Sequence, residues 1–189
     1  MKLVIASNNA HKIAEIKQIL QGKFDEMYSL AEIGIDCDPE ENGTNFLENA
    51  LIKVNEVAKH TTFAVLGDDT GLCVEALNGA PGVMSARYAG DHDNAKNRKK
   101  LLIELANETN RKAYFETCVA LHYPDGQIIT ASGKVYGEIL TEERGNGGFG
   151  YDCLFFSTEL NKTFGEATAE EKHSVSHRGR ALRSLLEKL

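Results

Sequence analysis

A chain of 189 residues with 42% hydrophobic and 26% charged side chains reads as one folded globular domain, 1–189, and excludes a disordered tail, a collagen or a disulfide-stapled miniprotein. The formal net charge of -7 disfavours nucleic acid and acidic lipid as partners, so an anionic ligand would need positive charge gathered locally. No run of about 18 apolar residues is present, and Leu3-Val4-Ile5-Ala6 is too short for a signal-peptide core, so the expectation is a cytoplasmic protein without membrane contact.

That same Leu3-Val4-Ile5-Ala6 reads as a buried strand, followed by Ile13, Ile16 and Leu20 at helical spacing up to Gly22. The polar turn Ser7-Asn8-Asn9 therefore falls between a strand end and a helix start. Residues 44–59 predict a second helix, with Thr44 as its N-cap and Phe46, Ala50, Val54 and Val57 on its apolar face. Phe63 to Leu66 is a second strand, ending at Gly67-Asp68-Asp69. A third helix spans 94–107. The β-rich runs 114–123 and 127–136 flank Pro124-Asp125-Gly126 and predict a long hairpin. A short strand at 154–156 precedes a last helix at 174–189 with Leu182, Leu185, Leu186 and Leu189 inward. Strands alternating with helices, then a hairpin, give an α/β class with a mixed central sheet flanked by helices. Ligands of open sheets sit beyond strand carboxyl ends, where Ser7 to Lys12 and Asp68 to Thr70 are expected.

Each chemistry-bearing segment has two readings. Ser7-Asn8-Asn9-Ala10-His11-Lys12 is either an anion site on a helix start or a capped helix with a solvated lysine, and it lacks the P-loop pattern. Glu40-Glu41 supplies oxygen ligands to a hard cation or is a solvated turn; Lys53 is a phosphate contact or a surface lysine. Asp68-Asp69 is sharper: two like charges beside a buried strand call for a cation or protons. Residues 76–88 read as an ordered loop beneath the site. In Gly147-Gly148-Phe149-Gly150-Tyr151-Asp152 the aromatic ring between glycines either stacks on a base or fills a core. Lys172, His177 and Arg178 are ligand contacts or the polar face of the last helix. Cys37, Cys73, Cys118 and Cys153 lie far apart without a C-x-x-C pair, so reduced, mostly buried thiols are expected rather than a metal site.

Taken in order, Ala6-Ser7-Asn8-Asn9 with Lys12 and Glu15, Glu41-Asn42-Gly43 through Lys53, Asp68-Asp69-Thr70-Gly71-Leu72, Gly79-Ala80-Pro81-Gly82 through Tyr88, Gly147 to Asp152, and Glu171-Lys172 with Ser176-His177-Arg178-Gly179 resemble the inosine triphosphate pyrophosphatase family over essentially the whole chain. The resemblance implies an elongated, two-lobed homodimer with a cleft between the lobes, and Mg2+-dependent hydrolysis of ITP, dITP and XTP to monophosphate and pyrophosphate. It gives the triphosphate to Ser7–Lys12, Lys53 and Lys172, the metal to Glu40 and Asp69, and proton abstraction to Asp69 with Asp68 as the second candidate. Thr70 and Phe149, Gly150, Tyr151 and Asp152 resemble nucleoside contacts, and His177 with Arg178 readers of the base. Three departures stand out: Thr70 for a more usual serine, His11 for a glycine and Cys153 for a proline. A pyrophosphatase for modified pyrimidine nucleotides and a non-catalytic nucleotide sensor are the competing readings.

Overall fold

The computed structural model describes residues 1–90 and 92–189. Its strands are β1 (Lys2–Ile5), β2 (Glu26–Ser29), β3 (Ala64–Val74), β4 (Lys112–His122), β5 (Ile128–Ile139), β6 (Phe155–Ser157) and β7 (Lys162–Thr163). The helices are α1 (Ala10–Ile19), α2 (Phe46–Val57), α3 (Asn94–Glu104), α4 (Ala169–Val175) and α5 (His177–Leu186). One seven-stranded sheet runs β2-β1-β3-β4-β5-β6-β7. β1 pairs in parallel with β2 and β3, and β6 antiparallel with β5 and β7, so the sheet is mixed, as the alternation of elements predicts.

The chain forms two compact units. The first comprises residues 1–69, 117–133 and 178–189; the second comprises 70–116 and 134–177. In the first, β1 buries Leu3 and Ile5 with Ile16, Leu20, Leu182 and Leu185, while Val4 joins Ala50, Val54, Val57 and Val65. Because successive side chains of a strand face opposite ways, an unbroken apolar run is what a strand covered on both faces requires. The second unit has its own core, in which Phe115, Phe155 and Phe164 pack with Leu72, Leu101, Leu105 and Leu154.

Several boundaries differ from expectation for local reasons. Asn45, not Thr44, caps α2: its Oδ1 accepts the Glu48 N–H at 2.9 Å, while the Thr44 N–H and hydroxyl both donate to the Glu48 carboxylate. Both residues are good caps, and the helix begins one residue later than the spacing suggests. The expected single last helix is two, α4 and α5, because Ser176 adopts an extended ψ of 154° between them. Thr168 and Glu171 form a capping box that starts α4 independently. The short strands β2 and β7 have no alternating pattern long enough to signal them. Most consequential, β3 does not stop at Gly67 but continues through Asp68, Asp69 and Thr70 to Val74.

The hairpin turn is as read: the Tyr123 N–H donates to the Gln127 carbonyl, and Gly126 takes the φ of +89° that the turn demands. Residues 79–88 are ordered, with Ser85 Oγ accepting the Leu72 N–H at 2.9 Å and donating to the Gly82 carbonyl at 2.6 Å. All four cysteines are thiols outside any disulfide, three of them buried. No helix among the described residues is long and apolar enough to cross a membrane.

Candidate active site

In the first unit, the site begins where α2 lies on β3. Gly67 makes that approach possible: a Cβ there would stand 2.8 Å from Val54 Cγ1 and 3.2 Å from the Ala50 carbonyl. The glycine thus brings Asn49 and Lys53 of α2 over the two acidic residues of β3. Asp68 and Asp69 are 1% and 6% exposed, and as neighbours in a strand they face opposite ways. They meet different partners in consequence.

Asp68 is held by cations. Arg178 donates to its Oδ2 from Nε at 3.2 Å and from Nη2 at 3.1 Å, and Lys12 Nζ lies 3.4 Å away. Burial alone would raise this carboxyl, but Lys12, Arg178 and Lys53 together hold it well below the usual carboxylate range. Arg178 also pairs with Glu15 and is itself 1% exposed. The expected base reader is therefore placed among carboxylates, because a desolvated guanidinium requires them.

Asp69 is held by an amide. Asn49 Nδ2 donates to its Oδ2 at 3.0 Å, and Lys53 Nζ lies 3.7 Å from Oδ1. Desolvation dominates and pushes this carboxyl above the ordinary range, against the pull of Lys53, Lys12 and Asn49. Lys53 also donates to the Asp68 carbonyl at 2.9 Å and pairs with Glu41 at 3.0 Å. Burial pulls the Lys53 ammonium down, but Asp69, Asp68 and Glu41 outweigh it and its pKa is raised. For Lys12 burial wins, and its pKa is lowered. Glu40 is exposed beside Glu41, so the acidic loop reaches the Lys53–Asp69 pair through its second residue.

The turn after β1 is occupied by its own side chains. Asn9 Oδ1 accepts the His11 and Lys12 N–H groups at 3.0 and 3.2 Å, capping α1. Ser7 Oγ accepts the Asn9 N–H, and Asn8 Nδ2 donates to the Cys37 carbonyl. Ala10, exposed, opens the helix.

The remaining expected residues belong to the second unit, where Thr70 is half-buried in β3. Lys172 Nζ donates to Asp152 Oδ2 at 2.7 Å and sits 5.0 Å from the Phe149 ring centre, a desolvated cation against an aromatic face. Asp152 Oδ2 also accepts the Phe149 N–H at 2.9 Å. Arg98 Nη1 donates to the Gly150 carbonyl at 2.9 Å, and the Tyr151 hydroxyl to the Ser85 carbonyl at 2.7 Å. His177 is buried and stacks on Phe115 at 4.6 Å between centroids. Gly148 has φ +66°, and a Cβ there would fall 2.1 Å from Asp152 Oδ2. Gly148→Ala is expected to cost about 1–3 kcal/mol in backbone strain alone, read as a lower denaturation midpoint.

Two contributors were given no role by the sequence. Arg98 lies in a helix at a position that carries no motif, Asn49 lies within the matching segment Glu41 through Lys53, and their partners show what each does.

Comparison with known proteins fits this arrangement. The model of the Ham1 family matches residues 3–188. A dITP/XTP pyrophosphatase of Clostridium perfringens is 52% identical, with 100% of this chain and 97% of that protein aligned. One from Leuconostoc mesenteroides is 50% identical over 100% and 96% of the two chains. Among solved structures, the Staphylococcus aureus Ham1 protein superposes with a TM-score of 0.88 at 40% identity, covering 100% of this chain and 97% of the other. A Coxiella burnetii HAM1 protein gives 0.88 at 37% identity, covering both chains fully. With agreement that runs from β1 through α5 and includes the Asp68-Asp69 strand, the chain belongs to the Ham1 family.

Proposed function

We propose that this chain hydrolyses the anhydride between the α and β phosphates of deaminated purine nucleoside triphosphates, dITP, ITP and XTP, to the monophosphate and pyrophosphate. One observation carries the chemistry: a buried carboxylate, Asp69, to which the Asn49 amide donates at 3.0 Å and which lies 3.7 Å from the Lys53 ammonium. A general base must stand fixed within hydrogen-bond reach of the proton it takes. Asp68 has the opposite environment and serves instead to fix Arg178 and Lys12. The dITP/XTP pyrophosphatase relatives support the substrate class.

The residues fit a magnesium ion. Glu41 and Asp69 approach one ammonium, Lys53, at 3.0 and 3.7 Å, so carboxylates of two segments already gather around a cation. No group of three metal-ligating side chains gathers among the described residues. Magnesium takes one or two carboxylates and completes its shell with phosphate and water. Glu40 and Asp69 would hold it, with Glu41 adjacent. When bound, Mg2+ supplies charge neutralisation on the phosphates and the leaving pyrophosphate. Asp69 takes the proton of the attacking water. Lys12 and Lys53 offset phosphate charge, with Ser7 to His11 along the same tail. In the second unit Lys172 is proposed as a further phosphate contact, Phe149 to Asp152 with Thr70 as nucleoside contacts, and His177 as a base contact.

Purified protein is expected to release pyrophosphate, not orthophosphate, from dITP, ITP and XTP faster than from GTP or ATP. EDTA should abolish the release. Preference for a modified pyrimidine triphosphate would move the substrate class, and nucleotide binding without product would make the protein a sensor. A cytoplasmic homodimer completes the proposal. The homodimer rests on the resemblance to the inosine triphosphate pyrophosphatase family. Light scattering should give twice the chain mass.

A further inference from the structure

Asn49 is 1% exposed, yet α2 packs through Phe46, Ala50, Val54 and Val57. Both ends of its amide are engaged. Nδ2 donates to Asp69 Oδ2 at 3.0 Å, and Oδ1 accepts the Gly43 N–H at 2.8 Å. A carboxylate only accepts and a backbone N–H only donates, so just one orientation of the amide satisfies both. With no solvent to substitute, breaking either hydrogen bond leaves a buried polar group in want of a partner. The side chain stands one turn into a helix whose start is fixed by the Asn45 cap, so it is carried on a rigid element.

Gly43 belongs to the same device. A Cβ on it would fall 2.6 Å from Asn49 Oδ1 and 2.7 Å from Glu48 Cβ, so only a bare Cα lets the loop lie this close. Two residues earlier, Glu41 pairs with Lys53 at 3.0 Å, and Lys53 lies 3.7 Å from Asp69. These interactions close a ring: Asp69, Asn49, Gly43, the loop back to Glu41, Lys53, and Asp69 again. Glu40 is the next residue of the loop, one beyond Glu41 where the ring closes.

We propose that Asn49 is a positioning residue that locks the acidic loop carrying Glu40 and Glu41 to Asp69, so that carboxylates from two distant stretches of chain keep one mutual geometry. This deepens the proposed hydrolysis and rests on it. A residue that fixes catalytic carboxylates acts on the chemical step, whereas one that merely packs α2 would lower stability and leave kcat alone.

The test uses the full chain with dITP and Mg2+, comparing wild type, Asn49→Leu, Gly43→Ala and the double variant, with thermal melts alongside. Each single variant is expected to lose about 10- to 100-fold in kcat, with KM for dITP within about threefold of wild type. Because both attack the same link, the double variant should lose little more than the worse single one. Wild-type kcat in the folded variants, a raised KM at unchanged kcat, or losses that multiply in the double variant would each overturn the proposal. Should Asn49→Leu not fold, Gly43→Ala decides by the same kcat-to-KM split. A wild type that releases no pyrophosphate would instead remove the functional reading itself, a result plainly distinct from an active wild type with indifferent variants.

Discussion

Asp69→Asn is expected to lower turnover of dITP or XTP by about 10²-fold or more while the protein stays folded. The substitution keeps the shape and removes the proton acceptor. It also removes a charge whose burial is already unfavourable, and Lys53 keeps its ion pair with Glu41. The amide oxygen can still accept from Asn49, so the strand and helix remain joined. Single-turnover pyrophosphate release together with a thermal melt checks both halves. A near-normal rate would exclude Asp69 as the base, and a collapsed melt would show the carboxylate to be structural.

Arg178→Met should behave in the opposite way, as a stability variant. Arg178 donates twice to Asp68 and pairs with Glu15, at 1% exposure. Methionine keeps much of the stem volume and removes the guanidinium, so two carboxylates lose their shared cation. Breaking a buried pair from one side costs about 3–5 kcal/mol. For a protein of this length that is a fall of about 6–20 °C in thermal midpoint. The resemblance gives Arg178 to the base, and the same experiment separates the two roles. If Arg178 chiefly reads the base, the melt should hardly move and the ratio of ITP to ATP turnover should collapse. Its place between Asp68 and Glu15 predicts the reverse.

The architecture was largely legible. Apolar runs at Leu3–Ile5 and Phe63–Leu66, helical spacing through Ile16 and Leu20, and Pro124-Asp125-Gly126 each mark an element the structure contains. What was hidden depends on partners distant in sequence. The Asp68-Asp69 pair reads as a turn because acidic residues rarely continue a buried strand. The continuation of β3 is permitted by Lys12 and Arg178, at separations of 56 and 110 residues, and no local window contains them. The split at Ser176 was likewise invisible, since Lys172 to Leu189 keeps a helical pattern across it. Composition singled out the acids, lysines and the aromatic loop of the candidate site. Asn49 fell within the matched segment Glu41 through Lys53 but received no role, because the part an uncharged residue plays lies in what it touches.

That Asp68 and Asp69 sit side by side in a pleated strand makes the chemistry sensitive to counting. Adding one residue between Ala64 and Gly67 would carry Asp68 into the amide-held place of Asp69, Asp69 into the place of Thr70, and leave glycine at the cation-clamped place. Such a frame error would strip Lys12 and Arg178 of their shared carboxylate without altering a single functional side chain. Length variation should therefore be harmless at the Tyr123–Gln127 turn and ruinous here, a contrast that a scan of single-residue insertions would expose directly.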